Sequence, residues 1–196
     1  MTAIVRTPLR VLVAGATASP DDGTPGALAD ALVAHLRRRG HDAESIALPL
    51  GAGNARRLND ACAWRLLNLS SSNACRIDLV IATGFPAWCV RHPRKVAWIA
   101  HEGALAPDDW NDAGAGADAD ADAERRQRLV QLDTRALTEC SRVFAGGVLT
   151  ADRLRCWSGI EASLLAPPPY EADHAAGGRA GDQSRIWDSI IEQLLG

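Results

Sequence analysis

Two continuous apolar runs stand at the centre of the chain, Leu79-Val80-Ile81-Ala82 and Val96-Ala97-Trp98-Ile99-Ala100, on either side of a segment holding Gly84, Pro86 and Pro93. Runs this short and this apolar match strands covered on both faces, as parallel sheets require. Each run gives way to small or polar residues, Thr83-Gly84 and His101-Glu102. In an open α/β sheet those carboxyl ends face the ligand crevice.

The same alternation extends along the chain. Residues 9–15 (LRVLVAG) predict a strand ending at Gly15, and the Pro- and Gly-bearing loop ATASPDDGTPG follows. Residues 27–39 place Leu28, Ala31, Leu32, His35 and Leu36 on one helical face. Arg37, Arg38 and Arg39 oppose the dipole in the last turn, and Gly40 supplies the stop. A strand at 44–48 and a helix at 54–69 come next, the helix closed by Ser70-Ser71-Ser72-Asn73.

The centre reads as a strand at 77–83, a short helix at 86–92 and a strand at 95–100. The Ala-, Asp- and Gly-rich stretch 105–123 reads as a mobile loop. An amphipathic helix over 124–140 turns Leu129, Val130, Leu132, Leu137 and Cys140 inward. A strand at 142–145, a helix at 150–157 and a strand at 162–165 complete the sheet section. Beyond Pro167-Pro168-Pro169, residues 173–183 read as linker and 184–195 as a final amphipathic helix with Ser184 as N-cap. The fold class predicted is α/β: a single Rossmann-like domain with a parallel sheet of about six strands, helices on both faces, and the C-terminal helix packed back on the body.

Composition narrows the function classes. A chain of 196 residues suits one good-sized domain, and 47% hydrophobic and 23% charged residues are ordinary for a globular protein. A net charge of −3 argues against an electrostatic nucleic-acid binder. No apolar run approaches the ~20 residues that span a bilayer, and no signal-peptide core precedes the first strand, so a cytoplasmic location is expected. Cys62, Cys75, Cys89, Cys140 and Cys156 include no C-x-x-C pair. They predict reduced, mostly buried thiols rather than a zinc site or disulfide framework. Asp118, Asp120, Asp122 and Glu124 alternate with alanine but lack the glycine of a calcium loop, so no metal is expected. G-x-G-x-x-G is absent, and Pro49 and Leu50 stand where a ribose-binding acid belongs. Both facts disfavour a dinucleotide oxidoreductase, and no cofactor is predicted.

Four segments carry a resemblance to a known family. They are RVLVAG with PGALADALVAHLRRRGHDAESIALP, then IDLVIATGFPAWCVRHPRKVAWIAHE, RVFAGGVLTADRLRCWSGIEASLLAPPP, and IWDSIIEQLLG at the end. Together they resemble the N-terminal, acceptor-side domain of a family 4, GT-B-type glycosyltransferase, the last segment matching the helix that crosses back in such enzymes. The resemblance implies residues 1–169 as the Rossmann-like lobe, 170–183 as a linker where the donor-binding domain would stand, and 184–196 as the returning helix. No donor domain fits in that interval. The sequence also departs from the family pattern: Gly26-Ala27 replaces a Gly-Gly pair, His101-Glu102-Gly103-Ala104 keeps only the histidine of its motif, and Gly146-Gly147 replaces Asn-Ser.

The implied function is binding of a sugar or glycan acceptor, for glycosyl transfer from a nucleotide sugar to a hydroxyl, with a second chain supplying the donor-binding Rossmann domain. Gly15, Gly23, Gly26, Gly84, His101, Glu102 and Gly146 would line the substrate side, with His101 as orienter or acid–base group. A polar strand end facing solvent is the plainer reading of His101, and a bare connecting loop that of the glycines. His92 and His41 read as cap and turn residues. Trp98 and Trp187 read as core, and Trp88 and Trp110 either as core or as stacking platforms near the cleft. The alternative is a non-catalytic Rossmann-like binding or interaction module.

Overall fold

The computed structural model describes residues 7–17, 25–49, 54–100, 119–168 and 180–196. Strand β1 (Arg10–Thr17) is followed by α1 (Pro25–Arg38), β2 (Asp42–Pro49) and α2 (Asn54–Leu66). A small hairpin, β3 (Ser71–Ser72) and β4 (Cys75–Arg76), precedes β5 (Leu79–Ala82), a 3-10 turn at Ala87–Cys89 and β6 (Lys95–Ile99). Helix α3 (Ala119–Thr138), β7 (Arg142–Ala145), α4 (Val148–Ser158), β8 (Ser163–Leu164) and α5 (Ala180–Leu195) follow. Six strands form one sheet in the order β2-β1-β5-β6-β7-β8, every neighbouring pair parallel. The fold is a single Rossmann-like α/β domain.

Burial on both faces explains the two unbroken apolar runs. Every residue of β5 and of β6 is buried. Val11, Val13, Leu79, Ile81, Val96 and Trp98 meet α1 and α5 on one face, while Leu12, Ala14, Val80, Ala82, Ala97 and Ile99 meet α2, α3 and α4 on the other. The period of two along each strand divides the core between these layers.

Gly40 closes α1 at φ +84°, a backbone state that glycine adopts without steric cost. Helix α5 packs back as expected. Trp187 stacks on His35 with ring centres 4.6 Å apart and meets Trp98 edge-on at 6.4 Å. Burial, reinforced by the nearby Arg38 charge, holds His35 below its ordinary range, while Asp188 pulls the other way. The last carbonyls of α5 are taken by the Arg142 guanidinium, at 2.6 Å from Gln193 O and 3.0 Å from Leu194 O. A cation there offsets the negative helix end.

Several expectations are corrected. The helix expected over 54–69 ends at Leu66, and Asn68 instead bridges in parallel to Arg91. Ser70–Asn73 is not a helix stop but leads into the β3–β4 hairpin, with the Ser70 carbonyl accepting from Ile77 N–H at 2.9 Å. The helix expected at 86–92 is only the turn Ala87–Cys89. Helix α3 begins at Ala119, inside the stretch read as a mobile loop, because alanine is the strongest helix former. Helix α5 begins at Ala180, so Ser184 is no N-cap and the linker ends earlier. Cys62, Cys75 and Cys156 are exposed and only Cys89 is fully buried, against the expectation of mostly buried thiols. Ile186, an apolar residue of the last helix, is 38% exposed rather than on its buried face.

Candidate functional site

Winding reverses between β1 and β5. From β1 the chain crosses one face through α1 to β2, then returns across the other through α2 to β5. The chain leaves the carboxyl end of β1 toward the α1 face and that of β5 toward the opposite face through Ala87–Cys89, the arrangement of a topological switch point, where open α/β folds form their ligand crevice.

Four of the expected glycines lie at this edge. Gly15 is buried in β1, where an added Cβ would sit 3.3 Å from Thr83 Oγ1 and 3.9 Å from Ala29 Cβ. The turn after β5 is tied to the same strand, Thr83 N–H donating to Ala14 O at 2.9 Å. Gly84 follows, ahead of a cis Phe85–Pro86 bond, and a methyl group added there would meet nothing within 4 Å. Gly146 packs under the end of β6: its N–H donates to Ile99 O at 2.8 Å, and a Cβ would meet Ala100 O at 2.2 Å. That close approach excludes any side chain and accounts for glycine at this position.

Two helices begin at the same edge. Pro25 and Gly26 open α1, where proline's missing N–H costs nothing, and Gly147 stands as N-cap of α4. Helix starts direct free N–H groups and the positive dipole end toward an anionic or hydroxyl ligand. Gly23, His101 and Glu102 lie outside the described residues, as does Trp110; of the expected set, Gly15, Gly26, Gly84 and Gly146 lie at the carboxyl edge of the sheet. Trp88 is fully buried and donates its indole N–H to Asp133 at 2.5 Å, so it serves the core rather than the crevice.

Charged chemistry that sequence reasoning missed gathers at the opposite end of the sheet. Lys95 is fully buried at the start of β6. Its ammonium donates to the carbonyls of Trp88 at 2.5 Å, Val90 at 2.9 Å and Ala136 at 3.0 Å, three donors for three acceptors. Burial pushes its pKa down, while nearby Cys140 and Glu139 pull it up. Glu139 forms a bidentate ion pair with Arg65, and that hydrogen bonding is the first cause of its lowered pKa. Burial pushes the Asp133 carboxyl up to about 6 and the Cys89 thiol to about 12. The one signal for this cluster in the sequence is a lysine opening an otherwise apolar strand. His41 is structural, as expected, with Leu9 N–H donating to its Nδ1 at 3.2 Å; His92, expected as a helix cap, has no helix to cap and instead sets its buried ring nitrogens 2.8 Å from Arg94 O and 3.2 Å from Ile77 O.

Among the described residues, no helix is long and apolar enough to cross a membrane, and no three metal-ligating side chains converge. No protein-family model matches this chain, and no curated protein matches it.

Proposed function

We propose that the chain is the acceptor-binding lobe of a glycosyl-transferring enzyme of GT-B type. On this reading it is inactive alone, and a second chain brings the nucleotide-sugar donor across the crevice. The supporting observation is the switch-point edge between β1 and β5, the place of a ligand crevice in open α/β folds, where Gly26 and Gly84 keep open space and α1 begins. The motif-bearing segment IDLVIATGFPAWCVRHPRKVAWIAHE supplies both strands of its far wall.

On this reading the lobe does three things. Backbone N–H groups at the start of α1 and the turn around Gly84 hold acceptor hydroxyls. His101, next after Ala100 in the chain, orients the reacting hydroxyl or accepts its proton. The donor lobe, when docked, positions the sugar carbon against that hydroxyl, so that proximity supplies much of the rate.

The test is direct titration of the purified chain with a panel of oligosaccharides and nucleotide sugars, followed by NMR. One glycan class should bind saturably, and nucleotide sugars should neither bind nor be hydrolysed. His101→Ala should weaken glycan binding by roughly tenfold, the loss of one well-placed hydrogen bond, with an unchanged melting temperature. Failure of every glycan to saturate, or tight donor binding by the lone chain, overturns the reading.

A further inference from the structure

At the edge of the sheet opposite the crevice, the ends of α2 and α3 and the turn ahead of β6 enclose a groove of about 680 Å³. Arg65, Leu66, Asn68, Ser70, Arg91 and Glu139 line it. A parallel backbone bridge sets Asn68 and Arg91 side by side.

Charge does not balance there. Glu139 pairs with Arg65, lies 3.4 Å from the guanidinium of exposed Arg135 and 4.0 Å from the buried Lys95 ammonium. One carboxylate thus faces three cations, and Arg91 adds another. The two helix ends reaching this edge return about half a negative charge each, and Arg91 remains the lining cation that no carboxylate partners among the described residues. The donors are free as well. The Arg91 side chain makes no hydrogen bond or ion pair among the described residues, and Asn68 engages only its carbonyl oxygen, accepting from Ser70 N–H at 3.1 Å. Leu66, 84% exposed at the rim, offers an apolar surface beside them.

We propose that this groove binds an oxyanion, the phosphate or carboxylate group of a small ligand. The Arg91 fork takes the anion, the Asn68 amide and Ser70 hydroxyl add neutral donors, and the Arg65–Glu139 pair forms a fixed end wall. Guanidinium suits this task because its planar donors match two oxygens at once. The site stands apart from the crevice and holds whether or not the chain takes part in sugar transfer.

The experiment is a ¹H–¹⁵N titration with inorganic phosphate, and separately with acetate, against chloride at matched ionic strength. The Asn68, Ser70 and Arg91 amides should shift saturably, and the anion with the lower midpoint identifies the headgroup. Arg91→Ala should raise the midpoint roughly tenfold, Arg91→Lys less, since a point charge replaces a fork. Glu139→Gln, which removes the one carboxylate lining the groove, should lower the midpoint. Arg128→Ala, at an exposed arginine paired with Glu124 at 2.6 Å, should leave it unchanged. Shifts that follow ionic strength alone, or an Arg91→Ala variant with the parent midpoint, overturn the proposal.

Discussion

Ala74 sits at φ +61°, directly after Asn73 at φ +49°, in the two-residue turn between β3 and β4. Positive φ at both central positions defines the hairpin turn whose twist matches its strands, and asparagine followed by glycine is its favoured pair. Here alanine holds the glycine position, at a cost of about 1–2 kcal/mol. Ala74→Gly should therefore stabilise the protein by about 0.5–1 kcal/mol, part of the relief being lost to a more flexible unfolded chain. Urea unfolding checks this: the midpoint should rise with an unchanged slope. Asp133 carries a different liability. Its folded pKa, raised by burial to about 6 and only partly restrained by the Trp88 indole, lies above the ordinary aspartate value of 3.8. The fold favours the neutral acid, so this group's contribution is fully present below pH 4 and is lost as pH rises through 6. Ionisation costs about 3 kcal/mol at pH 7, at about 1.4 kcal/mol per pH unit between the two values. Asp133→Asn keeps an oxygen for Trp88 without the charge. Melting curves should coincide with the parent at pH 4 and run higher at pH 7 to 8; curves parallel across that range would refute the assignment.

At the scale of elements, legibility in the sequence followed burial. β5 and β6 were readable because both faces are covered, which forces unbroken apolar runs such as LVIA and the VAWI that follows Lys95. α1 and α5 were readable because one face is solvated and Leu28, Leu32, Leu36 or Trp187, Ile190, Leu194 recur at helical spacing. The β3–β4 hairpin was not, since Ser71-Ser72 and Cys75-Arg76 are exposed or half-exposed and carry no alternation. Its register comes from the turn and from a bond between the Ser72 hydroxyl and Glu44 at 3.3 Å, a contact distant in sequence. The starts of α3 and α5 were missed for a compositional reason: alternating Ala and Asp, or Ala-Gly-Asp, reads as loop until a well-packed helix extends backward into it. Lys95 shows the reverse case. Alone it looks like a charge that disqualifies a central strand, yet the carbonyls of the 3-10 turn and of α3 near its end give its ammonium a full set of partners.

For the whole molecule, the parallel strands could be read from the chain, but the place where winding reverses could not. That depends on β1 pairing with both β2 and β5, a tertiary choice with no local signature. The consequence is that the crevice glycines, indistinguishable as letters, divide into two kinds. Gly15 and Gly146 are held by contacts of the sheet edge, whereas Gly26 and Gly84 have nothing within 4 Å of a Cβ and keep open space. Alanine at Gly146 would place its methyl 2.2 Å from the Ala100 carbonyl oxygen, with backbone on both sides and no flexible tip to yield. It must part the ends of β6 and β7, so Gly146→Ala should cost several kcal/mol, in the upper range of about 3 or more for forced overpacking. Gly84→Ala should change stability by less than about 0.5 kcal/mol, and Gly26→Ala, in the first turn of α1, should raise it by up to about 1 kcal/mol. If the crevice holds a ligand, the same two mild variants should weaken its binding while the protein melts at or above the parent temperature. Thermal melts paired with ligand titrations separate these outcomes, and a neutral Gly146→Ala would mean that the upper edge of the sheet is looser than the close backbone approach requires.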